Sequence, residues 1–202
     1  MSQNLHPDKH AAILDAAQKR FARFGLHKVT MEEIATDLGM SKAALYYYFT
    51  TKEEIFRQVI SREQEEFIAL VEVIIAEKCS AVEKLMHYFE QHLTFLNELL
   101  NLKLVSIQAS DTIHPIMHDL FQEFSRREVA LLGMIIAEGK ERGEFVVDSA
   151  ETAAALLTRL LLGLRFRFIR SFRNEAFDQA DIAAFADEIR LFSKIFLKGI
   201  SR

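Results

Sequence analysis

Residues 29–49 carry two short amphipathic patterns separated by a glycine, and no other stretch restricts the possible folds as strongly. Thr30, followed three residues later by Glu33, forms a capping box, so a helix is predicted to begin there. Gly39 ends that helix because glycine adopts the left-handed conformation at little cost, and Ser41 caps the next helix. The apolar face of the first helix consists of Met31, Ile34, Ala35 and Leu38. The stretch therefore predicts a helix-turn-helix.

The second helix of this pair has two chemically different sides, because successive helical residues are rotated by about 100°. The side that can pack on the preceding helix consists of Ala44, Leu45, Tyr48 and Phe49. The side predicted to face outward consists of Lys42, Ala43, Tyr46 and Tyr47. A lysine can reach guanine acceptors and a small residue permits close approach, so this side suits a recognition helix in a DNA major groove.

The same stretch resembles the DNA-binding signature of the TetR-type transcriptional regulators. The resemblance rests on Thr30–Ala35, Leu38–Phe49 and Lys52–Glu54, and it extends over residues 13–60. It implies that base edges are faced by Lys42, Ala43 and Tyr46. It assigns phosphate contacts to Thr30, Ser41, Tyr47 and Lys52. It also implies a C-terminal domain that binds a small-molecule effector and forms a homodimer.

The composition favours an all-α protein. Half of the 202 residues are hydrophobic, only two are proline, and no alternating strand pattern is present. We predict about nine helices. Residues 1–50 form a three-helix helix-turn-helix DNA-binding domain, and residues 51–202 form an effector-binding and dimerisation domain. A helix from 51 to about 78 connects the two domains.

Capping signals predict several further helix starts. Thr51 with Glu54 and Ser80 with Glu83 begin two helices, and Asp148 with Glu151 begins a third. A short helical piece is predicted over 102–109, and the last helix is predicted to begin near position 178 or 181. The charged segment 138–144 is predicted to be a solvated helix end.

The net charge of −4 departs from the usual basic footprint of a nucleic-acid-binding protein. DNA binding must therefore rest on the placement of a few cations, and the affinity should be sensitive to salt. A dimer suits this charge, because two heads that read a palindrome multiply the contacts.

The two C-terminal helices are apolar enough to pair with their copies in a second subunit, as an isologous four-helix bundle. An ordinary intrachain core explains one of the two helices equally well. The predicted interface consists of Leu157, Leu161, Leu164, Ile182, Phe185, Ile189, Phe192 and Phe196.

The effector pocket that the resemblance implies would lie among the helices between about 51 and 173. Its candidate lining consists of Phe67, Phe89, His92, Phe121, Phe124 and Arg165. These residues suit an apolar or amphipathic small molecule, but phenylalanines of this kind also form ordinary core. The arginine-rich run from Arg165 to Arg173 is interpreted either as an exposed helix end or as an anion site at the mouth of the cavity.

No constellation of residues predicts catalysis, so we expect no enzyme, no cofactor and no metal site. His114 and His118 have metal-ligand spacing but no obvious third ligand. The only cysteine, Cys79, is interpreted as a structural thiol, with a redox sensor as the alternative. Since no signal peptide or long apolar run is present, we expect a cytoplasmic protein that does not contact a membrane.

Together these observations predict a sequence-specific DNA-binding transcriptional regulator. We expect a ligand-responsive repressor that binds a palindromic operator as a homodimer. One alternative is a protein of the same fold that binds DNA as an architectural or assembly factor without an effector. The other is a helical enzyme or small-molecule carrier, against which the outward face of Lys42, Ala43, Tyr46 and Tyr47 argues.

Overall fold

The computed structural model describes residues 7–101, 113–171 and 179–202. Within these ranges the chain forms eight α-helices and no β-strand, which confirms the predicted all-α class. The helices are α1 (Pro7–Phe24), α2 (Met31–Asp37), α3 (Lys42–Tyr48), α4 (Lys52–Ala76), α5 (Ala81–Asn101), α6 (Ile113–Glu141), α7 (Ala150–Ser171) and α8 (Gln179–Ile200). The helical piece predicted over 102–109, which would make the ninth helix, lies outside the described residues. None of the helices in the described ranges is sufficiently long and apolar to span a membrane.

The capping signals in the N-terminal half have the predicted geometry. The Thr30 side chain accepts a hydrogen bond from the Glu33 N–H at 3.3 Å, and the Glu33 carboxylate accepts one from the Thr30 N–H at 2.8 Å. Gly25 directly after α1 and Gly39 after Leu38, the C-cap of α2, adopt positive φ angles of 76° and 61°. Local sequence therefore determines where the first three helices begin and end.

The helix starts farther along the chain are confirmed at two positions and wrong at one. Ser80 and Glu83 form a reciprocal capping box before α5, and Thr51 accepts the Glu54 N–H at the start of α4. The predicted cap at Asp148 is wrong, because Ser149 accepts the N–H of Thr152 at 3.2 Å and α7 begins one residue later.

The chain divides into two compact units, and α4 contributes to both. The first unit comprises residues 1–64 and 98–120. Its described core brings α1–α3 and the start of α4 together around Ile13, Phe21, Ile34, Leu45 and Phe56. The rings of Phe21 and Phe56 meet edge to face at 5.8 Å, which closes α4 on α1.

The second unit comprises residues 65–97 and 121–202. Its core is formed by buried side chains that include Leu85, Tyr88, Leu132, Ile136, Leu157, Leu161 and Ile189. After α6 the chain pairs with the end of α8, where the Val146 N–H donates to the Ile200 carbonyl at 2.7 Å. The buried ring of Phe145 lies against Gly139, where any side chain would collide with it.

The charged end of α6 is less solvated than its sequence predicts. Lys84 is buried, and its ammonium donates to the Glu138 carboxylate at 2.8 Å and to the Ile75 carbonyl at 2.8 Å. The prediction of a solvated helix end over 138–144 is therefore wrong at Glu138, whose side chain is only 25% exposed. A buried lysine needs such a partner, because an unpaired charge in the interior is expensive.

Candidate nucleic-acid interface and interior polar site

Helix α3 is anchored by one side and presents the other to solvent. Leu45 and Phe49 are buried in the core of the first unit, which fixes the rotation of the helix. On the opposite side Tyr46 and Tyr47 are 45% and 58% exposed. Lys42 and Ala43 in the first turn are exposed as well. The structure therefore brings together, on one open surface, the four residues that the sequence assigns to a recognition face.

Arg20, a cation of α1 that lies outside the buried stripe of the helix, holds α1 and α2 together. Arg20 on α1 donates to both carboxylate oxygens of Asp37 and lies 3.4 Å from the Glu33 carboxylate. The hydrogen bond from Arg20 keeps the pKa of the Asp37 carboxyl below its usual range. Such a pairing between distant residues has no signature in the local sequence, although the face of α1 that carries Arg20 is visible there.

The helix caps of α2 and α3 differ in what they leave available to a phosphate. The Thr30 hydroxyl donates to Glu33 at 2.9 Å, and the backbone N–H of Thr30 is the main cause of the lowered pKa of the Glu33 carboxyl. The Ser41 oxygen accepts the Ala44 N–H at 3.2 Å, so its hydroxyl proton can still be donated to a ligand. Ser41 is therefore the better placed of the two predicted phosphate contacts.

Lys42 has an acidic neighbour on the preceding helix. Its ammonium lies 3.7 Å from the Glu32 carboxylate, with the two side chains 54% and 73% exposed. An exposed pair of this kind is worth little, so DNA can exchange for Glu32 at small cost. Glu32 nevertheless places a negative charge beside the recognition face.

Lys52 is occupied within the first unit. Its ammonium donates to the carbonyls of Leu26, His27 and Val29 at 2.9, 3.3 and 3.0 Å. An ammonium has three protons, so these bonds account for all of them. A phosphate contact by Lys52, as the resemblance implies, would require at least one of these bonds to be exchanged.

The candidate pocket residues of the second unit form an aromatic cluster. Phe67 stacks on Phe95 with ring centroids 4.6 Å apart, and it lies 5.8 Å from the rings of Phe124 and His92. Phe89 lies on another side of this core, where its ring contacts Phe192 and Phe196 of α8 at 6.5 and 6.4 Å. The predicted set is therefore only partly contiguous.

Four of the buried polar side chains in this unit, Tyr88, His92, Glu128 and Arg165, interact with one another, and only His92 and Arg165 were predicted as site residues. The Tyr88 hydroxyl donates to the Glu128 carboxylate at 2.8 Å, and His92 Nδ1 lies 3.7 Å from that carboxylate. Arg165 is 7% exposed, and its guanidinium covers the ring of Phe121 at 4.7 Å. Tyr88 and Glu128 were missed because they sit among apolar residues at helical spacing and look like part of an ordinary amphipathic helix.

Burial controls the protonation of these groups. Burial lowers the pKa of His92 to about 3, so the ring is neutral at pH 7 and its approach to the Glu128 carboxylate is not an ion pair. Burial raises the pKa of Glu128 to about 7, opposed by the Tyr88 hydroxyl and by the charge of Arg165. Burial likewise lowers the pKa of Arg165 to about 10, a value at which the guanidinium is still charged at neutral pH. The interior therefore holds a carboxyl near its titration point beside a fixed cation.

The residues predicted to form the dimer interface are divided by their burial within one chain. Leu157, Leu161, Phe185 and Ile189 are at most 3% exposed, so a second chain cannot bury them further, and their assignment to the interface is corrected here. Among the side chains of α7 and α8 that the structure describes, the large apolar ones that are exposed are instead Leu156, Leu160, Leu191 and Ile195, at 42–62% exposure. Each pair is spaced four residues apart, so each helix carries one apolar stripe.

The predictions about the remaining chemistry have mixed outcomes. Burial and Glu77 raise the pKa of the Cys79 thiol, which is the opposite of what a redox sensor needs. The side chains of His114 and His118, and the end of the arginine-rich run at Arg173, lie outside the described residues. Arg165, which begins that run, is an interior residue and not part of an exposed helix end.

Comparisons with known proteins place these features in a family context. A family model described as "Bacterial regulatory proteins, tetR family" matches residues 13–59. A transcriptional regulator from Cytophaga hutchinsonii is 36% identical in sequence, and its crystal structure superimposes with a TM-score of 0.86. The match covers 96% of this chain and 99% of that protein. The fatty acid metabolism regulator protein of Bacillus subtilis is 29% identical over 67% of this chain and 70% of its own length. The transcriptional repressor NicS of Pseudomonas putida is 28% identical over 94% of this chain and 91% of its own length.

Proposed function

The chain belongs to the TetR family of transcriptional regulators, and from this membership we propose that it is a dimeric repressor which binds a palindromic operator and is released by a small-molecule effector. The observation that carries the proposal is the exposed face of α3, where a lysine, an alanine and two tyrosines stand opposite a buried anchor. A helix presented in this way can enter a major groove. Because its target would be chromosomal DNA, we assign the protein to the cytoplasm. We propose no catalytic role, since the named relatives are regulators.

We assign base contacts to Lys42, Ala43 and Tyr46, and phosphate contacts to Ser41, Tyr47 and Thr30. The hydroxyls of Ser41 and Tyr47 can donate to phosphate oxygens while α3 lies in the groove. We propose that Lys52 acts mainly through the loop before α2, because its three protons are bonded to that loop. The acidic net charge then makes the affinity of each head modest and dependent on salt.

We propose that two chains associate through α7 and α8. The supporting observation is the pair of exposed stripes, Leu156 with Leu160 and Leu191 with Ile195. Fully burying an exposed side chain of this kind contributes about 1.5–3 kcal/mol, and since these four are already about half-buried, each would contribute roughly 1 kcal/mol against a partner. A palindromic operator follows from an isologous dimer, because the two-fold axis of the protein repeats the half-site.

We propose that the effector is an apolar or amphipathic small molecule whose polar end meets Glu128 and Arg165. The phenylalanine cluster around Phe67 would hold the apolar part. Because the pKa of Glu128 is about 7, that carboxyl can become neutral, and an anionic ligand would then take its place as the counter-ion of Arg165. A relative is named for fatty acid metabolism, so long-chain fatty acids and their derivatives are the first class to test.

The DNA-binding proposal is tested by selecting bound fragments from a random duplex pool at moderate salt. The wild type is compared with the double variant Lys42→Ala/Tyr47→Ala, and Arg190→Ala, an exposed residue of α8, serves as the control. We expect the wild type and the control to enrich the same palindrome and the double variant to enrich none. If folded wild-type dimers enrich no sequence, specific DNA recognition by the free protein is wrong.

The effector proposal is tested on the selected operator. Increasing concentrations of saturated fatty acids of graded length are added to the complex, and release is followed by fluorescence anisotropy. We expect release by the wild type and a loss of release in Arg165→Met, with operator binding retained. Equal release in both proteins would remove Arg165 from the site, and no release by any member of the series would remove this class of effector.

A further inference from the structure

A carboxylate, a thiol and an imidazole lie close together near the junction between α4 and α5. The carboxylate oxygen Oε2 of Glu77 lies 2.7 Å from Nδ1 of His87 and 3.5 Å from Sγ of Cys79. All three ligand atoms lie within 4.8 Å of one another. Within the described ranges this is the one group of three or more histidine, cysteine and acidic side chains with such spacing.

The backbone around these residues is fixed by contacts that do not use the three ligand atoms. Ser80 caps α5, and its N–H is held by the Glu83 carboxylate at 2.8 Å. The Cys79 carbonyl accepts a hydrogen bond from Arg142 at 3.0 Å. The last turn of α4 is held from α5, where Lys84 donates to the Ile75 carbonyl. The positions of Glu77, Cys79 and His87 are therefore set by the fold and do not depend on a ligand.

We propose that Glu77, Cys79 and His87 form a site for a divalent transition-metal ion of the zinc type. A thiolate, an imidazole and a carboxylate are ligands that zinc accepts together, at distances of about 2.0–2.3 Å. Tetrahedral coordination by three protein groups leaves the fourth position to water, which reaches this junction because the His87 and Glu77 side chains are 46% and 35% exposed. Binding releases the thiol proton of Cys79 to solvent and replaces the direct contacts of Glu77 with bonds to the metal.

An ordinary ion pair explains less of the geometry. Glu77 with His87 alone would account for one short contact, and a thiol beside a carboxylate would account for another. The proximity of all three to a single point is what a metal ion explains and a pair does not. Two nearby cations have carboxylate partners of their own: Lys84 pairs with Glu138 at 2.8 Å, and Arg142 pairs with Glu138 at 2.8 Å and with Glu144 at 3.9 Å.

The test is a titration of metal-free, tag-free protein with Co²⁺, followed by competition with Zn²⁺. Removal of any affinity tag is essential, because a histidine tag binds the same ions. We expect one Co²⁺ per chain, with the thiolate-to-cobalt charge-transfer absorption and the intense visible bands of tetrahedral cobalt. Zinc should displace the cobalt and raise the melting temperature of the protein.

The variants assign the ligands. Cys79→Ser should abolish the charge-transfer absorption, and His87→Gln and Glu77→Gln should each weaken binding by at least about 100-fold, since even outer partners of metal ligands cost 10–100-fold. His27→Gln and Glu151→Gln, both exposed and outside the cluster, are the matched controls and should bind as the wild type does. Circular dichroism of each variant checks that it is folded.

Two results would overturn the proposal. One is the absence of charge-transfer absorption in the folded wild type at a Co²⁺ concentration that saturates weak sites. The other is binding that survives in Cys79→Ser and His87→Gln but is lost in His114→Gln/His118→Gln, which would move the metal to the start of α6. A metal site that fails while operator selection succeeds leaves the regulatory function intact, so the two proposals fail independently.

Discussion

Replacing Lys52 by methionine should destabilise the protein without removing a phosphate contact. The substitution keeps an unbranched side chain but removes the ammonium that bonds to the carbonyls of Leu26, His27 and Val29. Those carbonyls belong to the loop between Gly25 and the capping box at Thr30, so they fix the approach to α2. Losing their shared donor leaves partly buried acceptors that need other partners.

The magnitude follows from the two bonds that are partly buried, those to Leu26 and Val29. A hydrogen bond with a charged partner contributes about 1.5–3 kcal/mol. We use the lower end because Lys52 is itself half-buried, and this gives a loss of about 3 kcal/mol in the free energy of unfolding. For a protein of this size about 2–4 °C accompanies each kcal/mol, so the melting temperature should fall by roughly 6–12 °C.

The assay combines thermal unfolding with operator binding measured over a range of salt concentrations. We expect Lys52→Met to keep the wild-type slope of log affinity against log salt, because no phosphate neutralisation is lost. Lys42→Met is the matched control, since the Lys42 side chain is 54% exposed. It should weaken operator binding while changing the unfolding free energy by no more than about 0.5 kcal/mol. If Lys52→Met keeps the wild-type melting temperature and lowers the slope by about 1.8 per dimer, Lys52 is a phosphate contact and the reasoning is refuted.

Three other predictions test the charges and packing. Glu32→Gln should tighten operator binding by up to about 5-fold for each half-site, and about 25-fold for the dimer, since it removes from each recognition face a negative charge worth at most about 1 kcal/mol. Fluorescence anisotropy measures this change, and weaker binding would contradict it. Gly139→Ala should lower the free energy of unfolding, measured in urea, by about 1–3 kcal/mol, because its Cβ would collide with Phe145. Gly133→Ala on the same helix is the control: its Cβ would meet no atom within 4 Å, and it should raise the free energy of unfolding by up to about 1 kcal/mol. Equal effects of the two alanines would mean that the ring of Phe145 moves aside freely. The folded state holds the Glu128 proton more tightly than the unfolded state, because the pKa of this carboxyl is about 7 in the folded protein and 4.5 ordinarily. As pH rises from 4.5 to 7, the unfolding free energy of the wild type should therefore fall by about 3 kcal/mol relative to that of Glu128→Gln. A difference in urea unfolding that does not change with pH would show that Glu128 titrates normally.

The sequence predicts the helices of this protein well because residues within about one turn of each helix end determine where the helix begins or stops. Capping boxes at Thr30 and Ser80 and the glycine at position 39 act within four residues, and each has its predicted geometry. The predicted cap at Asp148 is one residue from the observed cap at Ser149, because aspartate and serine are both good capping residues and the local sequence does not distinguish them. For the recognition face the helical period alone indicates which side chains of α3 are exposed.

The interior could not be predicted in the same way because its pairings join residues that are far apart in sequence. Lys84 meets Glu138, and Tyr88 meets Glu128, over separations of 54 and 40 residues. From the local pattern, Glu138 belongs to a charged helix end and Arg165 to a charged run. Only the folded chain shows that Arg165 is buried and that Glu138 is largely covered as the partner of a buried lysine.

The polar interior of the second unit also bears on why this domain exists. Glu128, Arg165 and His92 are buried among aromatic rings, and Thr158, about two helical turns before Arg165 on α7, has a buried hydroxyl with no hydrogen-bond partner among the described residues. Apolar side chains of similar volume would fill such a core at lower cost, because buried ionic pairs often contribute nothing to stability. A domain that served only to join two DNA-binding heads would gain nothing from them. Buried polar side chains that stabilise the core little but lie close together can instead bind the polar end of a ligand. Their presence therefore argues for an effector over a purely architectural role.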